Sequence, residues 1–147
     1  MIGPAGRRIV TGLDADGKSC VLFEGPAPIT IWQTDSTPAD NSGTVDTGYD
    51  GFDIAVAPGG TKCIAFAYEP RSDMGAIGMH ATNTIDYVII LSGNVTMITE
   101  TGETLLGAGD VVVDRGIIHG WRNDGDAPCQ AVCVMVDAHP VGAGATV

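Results

Sequence analysis

Dense punctuation constrains this chain more than any other feature. Glycine occurs 21 times and proline 8 times in 147 residues. The runs between these breakers are short, apolar and rich in β-branched residues, which is the pattern of an all-β sandwich or barrel. No segment carries apolar residues at helical spacing for three turns. The pattern predicts strands at Arg8–Thr11, Cys20–Phe23, Ile29–Gln33, Asp53–Val56, Lys62–Tyr68, Thr84–Leu91, Val95–Thr99, Val111–Arg115, Gly120–Asn123 and Cys129–Asp137. ADGK (Ala15–Lys18), ETGE (Glu100–Glu103) and NDGD (Asn123–Asp126) each set a glycine beside Asp, Thr or Asn, as tight hairpins require. Gly93–Asn94 and Gly109–Asp110 read as further strand-joining turns. Residues Thr34–Asp50 are polar and nearly free of aliphatics, so they read as a long loop, either a lid or disordered. The closing VGAGATV is expected to fray.

Charge narrows the partners. Seven Lys+Arg against 18 Asp+Glu give a net charge of −11. Such a surface repels nucleic acid and anionic lipid, so neither is an expected partner. The opening MIGPAGRRIV lacks the apolar stretch of a secretory signal, and no window has the length of a membrane-spanning helix; the expected location is cytoplasmic. A hydrophobic share of 44% and a charged share of 17% fit one globular domain with a single core. Cys20, Cys63, Cys129 and Cys133 are not spaced as zinc ligands and read as reduced, buried thiols, the last two on one face of a strand.

Two stretches carry candidate chemistry. The first is MHATNTIDYVIILSG, Met79–Gly93. Residues two apart in a strand share a face, so His80, Thr82, Thr84 and Asp86 point one way, and the row continues as Val88 and Ile90. A strand with two partly apolar faces is central rather than edge, so its polar row faces an enclosed space. Alone, the row reads rather as a solvated face with an incidental histidine. The second stretch is GAGDVVVDRGIIHGWRN, Gly107–Asn123. After a glycine turn at Gly116, His119, Trp121 and Asn123 alternate onto one face and Arg122 onto the other, toward solvent. Arg115 lies in the turn, where it can pair with Asp114 or Asp110. His139 lies outside both stretches and is expected to be exposed.

Together these stretches resemble the two motifs of the cupin superfamily. His80, Thr82, Asp86 and Gly93 keep the spacing of the first motif, and Gly109, Gly116, His119 and Asn123 follow the second, one residue short before Gly116. The resemblance implies a double-stranded β-helix, or jelly-roll barrel: one domain over residues 1–147, with N-terminal strands and the long loop in 1–50 and the barrel core in 62–137. It also implies a divalent metal (Fe, Mn, Zn or Ni) bound by two histidines and a Glu of the first motif and the histidine of the second. Here Thr82 replaces one histidine and Asp86 replaces the Glu. His80, Asp86 and His119 remain as metal candidates, two imidazoles and a carboxylate as in non-haem iron sites. Without metal, the same three residues are catalytic acid–base candidates. Thr82, Trp121, Tyr68 and Trp32 are candidate substrate contacts, Trp32 equally a core or dimer residue. No organic cofactor is expected. The functions implied are a lyase or dehydratase acting on a small oxygenated molecule, a non-haem iron dioxygenase, or a ligand binder without catalysis. Small cupins commonly pair through N-terminal strands, so a homodimer is expected.

Overall fold

The computed structural model describes residues 2–75 and 78–147. Among these described residues no helix occurs and eleven strands form. These are β1 (Arg7–Leu13), β2 (Ser19–Pro26), β3 (Thr30–Thr34), β4 (Thr61–Tyr68), β5 (Ser72–Asp73), β6 (Thr84–Ser92), β7 (Asn94–Thr99), β8 (Gly102–Gly107), β9 (Val111–Asp114), β10 (His119–Asn123) and β11 (Cys129–Asp137). They build a five-stranded sheet in the order β3-β4-β11-β6-β9, a four-stranded sheet in the order β5-β10-β7-β8, and a separate β1-β2 hairpin. All of the pairings are antiparallel. This is the expected all-β jelly-roll architecture.

The core lies between the two larger sheets. Alternation along β6 buries Thr84, Asp86, Val88 and Ile90 and turns Tyr87 and Leu91 outward. On β11, Cys129, Ala131, Cys133 and Met135 face inward on the same rule. Ile64, Phe66 and Tyr68 of β4 meet Val95 and Met97 of β7 and Trp121 of β10 in one cluster. All four cysteines are free, with Cys129 and Cys133 buried and Cys20 and Cys63 half-buried.

Four features differ from the sequence expectations. Asp53–Val56 is not a strand. Its carbonyls are taken instead by a side chain: Lys62, buried at the start of β4, donates to Asp53 O at 2.7 Å and to Ala55 O at 2.6 Å. A segment whose carbonyls are satisfied this way has no need of a strand partner. Strand β8 was hidden because GETLLG carries little alternation, and Leu105 is exposed at this sheet edge. Strand β5 is two residues long and has no sequence signature. The C-terminal segment is docked rather than frayed: Thr146 N donates to Ala81 O at 2.9 Å, and Ala145 N to Asn83 Oδ1 at 2.8 Å. The polar Thr34–Asp50 stretch forms the expected loop, and its end folds back on β3 through Thr47 and Tyr49.

Replacing Lys62 with Met strands two carbonyls and frees the 53–55 segment. Lys62→Met is expected to lower unfolding stability by about 2 kcal/mol in urea titrations and to speed protease cleavage within residues 50–58.

Candidate functional site

Strand pairing assembles the site. Asp86 of β6 and Asp114 of β9 are directly opposite partners, both inward. His80 precedes β6 and forms a bridge with His119, the first residue of β10: each backbone N–H donates to the other's carbonyl at 3.0 Å. The two imidazoles stand 4.8 Å apart between ring centroids. These four residues share a pocket of about 90 Å³ with apolar and aromatic walls, including Phe66, Tyr68, Met74 and Trp121. That volume is room for roughly three waters. Phe52, Ile54 and the half-exposed edge of the segment held by Lys62 complete the walls.

The Gly116 turn fixes one carboxylate and one imidazole as a unit. Gly116 has φ +75°, and a Cβ there would meet Thr82 O at 2.7 Å, so the position needs glycine. The turn aims the Gly116 and Ile117 amides at Asp114 Oδ1, at 2.9 and 3.1 Å. His119 Nδ1 lies 3.0 Å from Ile117 O. A carbonyl only accepts, so Nδ1 carries the proton and Nε2 is left for the pocket. Asp114 Oδ2 is 2.7 Å from the same Nδ1. The N–H is directed at Ile117 O, so the Asp114 contact is a charge contact, and Oδ2 accepts no hydrogen bond within the protein.

Environment drives these groups apart. Burial pushes His119 down, but the Asp114 carboxylate and the Ile117 carbonyl outweigh it, so its pKa lies above the usual histidine value. His80 is held below that value by burial and by the charge of His119. Burial raises Asp114, but His119 and the two amides prevail and leave it below the ordinary carboxylate range. Asp86 is raised, first by burial and then by Asp114, against the opposing Thr84 hydroxyl. Two like charges facing each other across a buried ladder cannot both be ionised cheaply.

The sequence candidates divide accordingly. His80, Asp86, His119, Trp121 and Tyr68 come together in the pocket. Tyr68 is buried rather than at the rim, packed edge-on to Phe66 and tilted on Trp121. Thr82 is buried, but its hydroxyl is bonded to that of Thr84 at 2.7 Å and does not line the pocket. Trp32 stands elsewhere, in a cleft of about 750 Å³ between the β1-β2 hairpin and the loop around residues 40–47. Arg122 turns outward to Glu103 and Asp124, Asn123 ties Tyr68 O to Ala127 O, and His139 is exposed, as expected. Asp114 does not pair with Arg115, because its oxygens belong to the turn and to His119. Asp114 is also the site residue that sequence reasoning missed. Its signal was inward alternation with Val112, two residues before the turn glycine.

The donors do not fit a metal. Among the described residues, no three His, Cys, Asp or Glu side chains converge on a common point as ligands. The Thr82 hydroxyl is engaged with that of Thr84, and Asp86 is a methylene shorter than the family's Glu.

Comparison with known proteins agrees with the fold. Residues 66–135 match the family model described as the cupin domain. Over those residues the chain is similar to a cupin domain. It is similar, at 26% identity over 91% of its own length and 77% of the other, to the cupin-domain-containing oxidoreductase virC of Hypocrea virens. It is 38% identical to the phomopsin biosynthesis cluster protein C' of Diaporthe leptostromiformis over 43% of this chain, spanning only about a third of that protein, 34%. With the oryzines biosynthesis cluster protein J of Aspergillus oryzae it shares 36% identity over 57% of this chain and 46% of that protein. Among solved structures, a Cupin 2 conserved barrel domain protein from Salinispora arenicola superposes with a TM-score of 0.47 at 22% identity, covering 60% of this chain and 71% of that one.

Asp86 yields a stability test. Its folded pKa lies above the unfolded value, so its penalty is absent below the unfolded pKa and complete above the folded one. Asp86→Asn is expected to raise Tm at pH 8 and to leave it nearly unchanged at pH 3, in paired thermal melts.

Proposed function

We propose that the protein is a small-molecule enzyme of the lyase or dehydratase type, eliminating water from an oxygenated organic substrate. The observation that supports it is the pair of imidazoles, 4.8 Å apart, whose environments push their titrations in opposite directions. Such divergence separates an acid from a base. His80, neutral near pH 7, takes the proton from carbon. His119, charged beside Asp114, gives its Nε2 proton to the departing hydroxyl. The C–H and C–O bonds break, the C=C bond forms, and water leaves. Proton exchange with solvent then returns His80 and His119 to their starting states. Apolar walls exclude competing water.

The relatives named for phomopsin and oryzines biosynthesis clusters support an enzyme working on small molecules. A second reading is redox chemistry on the same kind of substrate, favoured by the oxidoreductase relative that aligns with 91% of the chain.

His119→Gln is expected to cut turnover by roughly 10²- to 10⁴-fold with a native circular dichroism spectrum. The pH profile of kcat/KM should be a bell around the ordinary histidine pKa of 6.5. Its acid limb is set by protonation of His80 below that value, and its alkaline limb by deprotonation of His119 above it. Turnover should persist without dioxygen and after chelation. Oxygen uptake in step with substrate would replace this reading with the redox one.

The homodimer is also proposed. The β1-β2 hairpin stands in its own sheet with Ile9, Leu13 and Val21 exposed, and such apolar surface suits pairing with a second copy. Light scattering at micromolar concentration is expected to read twice the 15.1 kDa chain mass.

A further inference from the structure

The charge inventory of the pocket carries a statement about its ligand. Apart from His80, Asp86, Asp114 and His119, the lining side chains are apolar or aromatic, and neither Lys nor Arg is among them. The neighbouring cations are committed elsewhere: Lys62 to two carbonyls and Arg122 to Glu103 and Asp124. Asp86 and Asp114 are 7% and 3% exposed, and one oxygen of each, Asp86 Oδ1 and Asp114 Oδ2, has no hydrogen-bond partner in the protein. A buried oxygen left unpaired is costly, so each marks a place where something else donates.

We infer that the pocket takes the reacting end of a neutral, largely apolar molecule that donates hydroxyl hydrogens to Asp86 Oδ1 and Asp114 Oδ2, and that it excludes carboxylates and phosphates. The inference rests on this pocket being the substrate site, as proposed above. An anion entering it would lose its hydration with no Lys or Arg in the lining to receive it, and would lie against the Asp114 carboxylate and the unpaired Asp86 oxygen. One hydroxyl hydrogen satisfies one of the two orphan oxygens and a second hydroxyl the other, while Asp114 Oδ2 keeps its charge contact with His119 Nδ1. The Asp114–His119 pair is already in contact at 2.7 Å, so a cationic ligand would have to compete with His119 for Asp114. The aromatic walls of Tyr68, Phe66 and Trp121 suit a flat or alicyclic body. With about 90 Å³ enclosed, only the hydroxyl-bearing end of such a molecule is engulfed.

Binding of three probes sharing one ring tests this without turnover. The chain has two tryptophans, and Trp32 is outside the pocket, so in Trp32→Phe the fluorescence comes from Trp121 alone. Titration with phenol, benzoate and benzylammonium is expected to give saturable binding of phenol, tighter than either ion by roughly tenfold or more. In Asp86→Asn the preference of phenol over benzoate should narrow, and the comparison in Trp32→Phe alone decides the matter if that variant does not fold. Benzoate or benzylammonium binding as tightly as phenol overturns the inference, and so does the absence of saturable binding by all three. A phenol preference in a protein that turns nothing over would leave this inference standing and sink the enzyme reading. Turnover of a carboxylated substrate with no phenol preference would do the reverse.

Discussion

Two carboxylates placed directly across a buried antiparallel ladder are the constraint around which the site is built. Asp86 and Asp114 are cross-strand partners on the inner face of the five-stranded sheet. Left alone, both would be strongly destabilising. The fold treats them unequally. Asp114 receives two amides and an imidazole, while Asp86 has the Thr84 hydroxyl beside it and an oxygen with no partner. This asymmetry favours the ionised form of Asp114 and the protonated form of His119, and pushes Asp86 toward its neutral form. Gly116 makes the arrangement available, since any Cβ there would drive the turn off the Thr82 carbonyl and carry the two amides away from Asp114.

The other half of the site depends on backbone rather than side chains. His80 lies outside the regular strand, yet its position is fixed by the reciprocal hydrogen bonds with His119. The adjoining residues Ala81 and Asn83 are tied to the C-terminal segment through Thr146 and Ala145. The approach to β6 is therefore clamped from both sides: by β10 at His80 and by the tail one and three residues later. Precise placement of an imidazole on a segment of loop geometry requires such bracing, because a loop supplies no periodic ladder of its own.

Alternation made most of this legible. Residues of β6 and β11 repeat at period two with one apolar face, and the polar row from Thr82 to Asp86 could be assigned to the interior because Val88 and Ile90 continue it. What escaped was whatever local pattern does not encode. Asp53–Val56 has strand-like residues, but its carbonyls are claimed by Lys62 from another strand. The tail is composed of small residues that suggest fraying, and its anchors lie on a distant loop. Trp32 alternates correctly within β3, but β3 is a sheet edge facing the hairpin, so its side chain meets the N-terminal cleft. Asp114 sits where a turn residue is expected, and nothing local says that it reaches His119 instead of Arg115.

The larger cleft beside Trp32 sharpens what marks a chemical site. At about 750 Å³ it exceeds the His80–His119 pocket many times over. Its walls include Asp35 and Asp40, both exposed, and Asp40 is held below the usual carboxylate range chiefly by Ser42. Water can reach those groups, and their charges are screened. The smaller pocket holds two carboxylates and the His119 imidazole buried, with His80 half-buried beside them, and there field and hydrogen bonding act more strongly. Capacity for chemistry therefore follows desolvation of opposed titratable groups rather than volume. Arg8 pins the hairpin to Ile31 O and to Asp46, so the wide cleft is held together by ion pairing and hydrogen bonding at the N-terminal sheet.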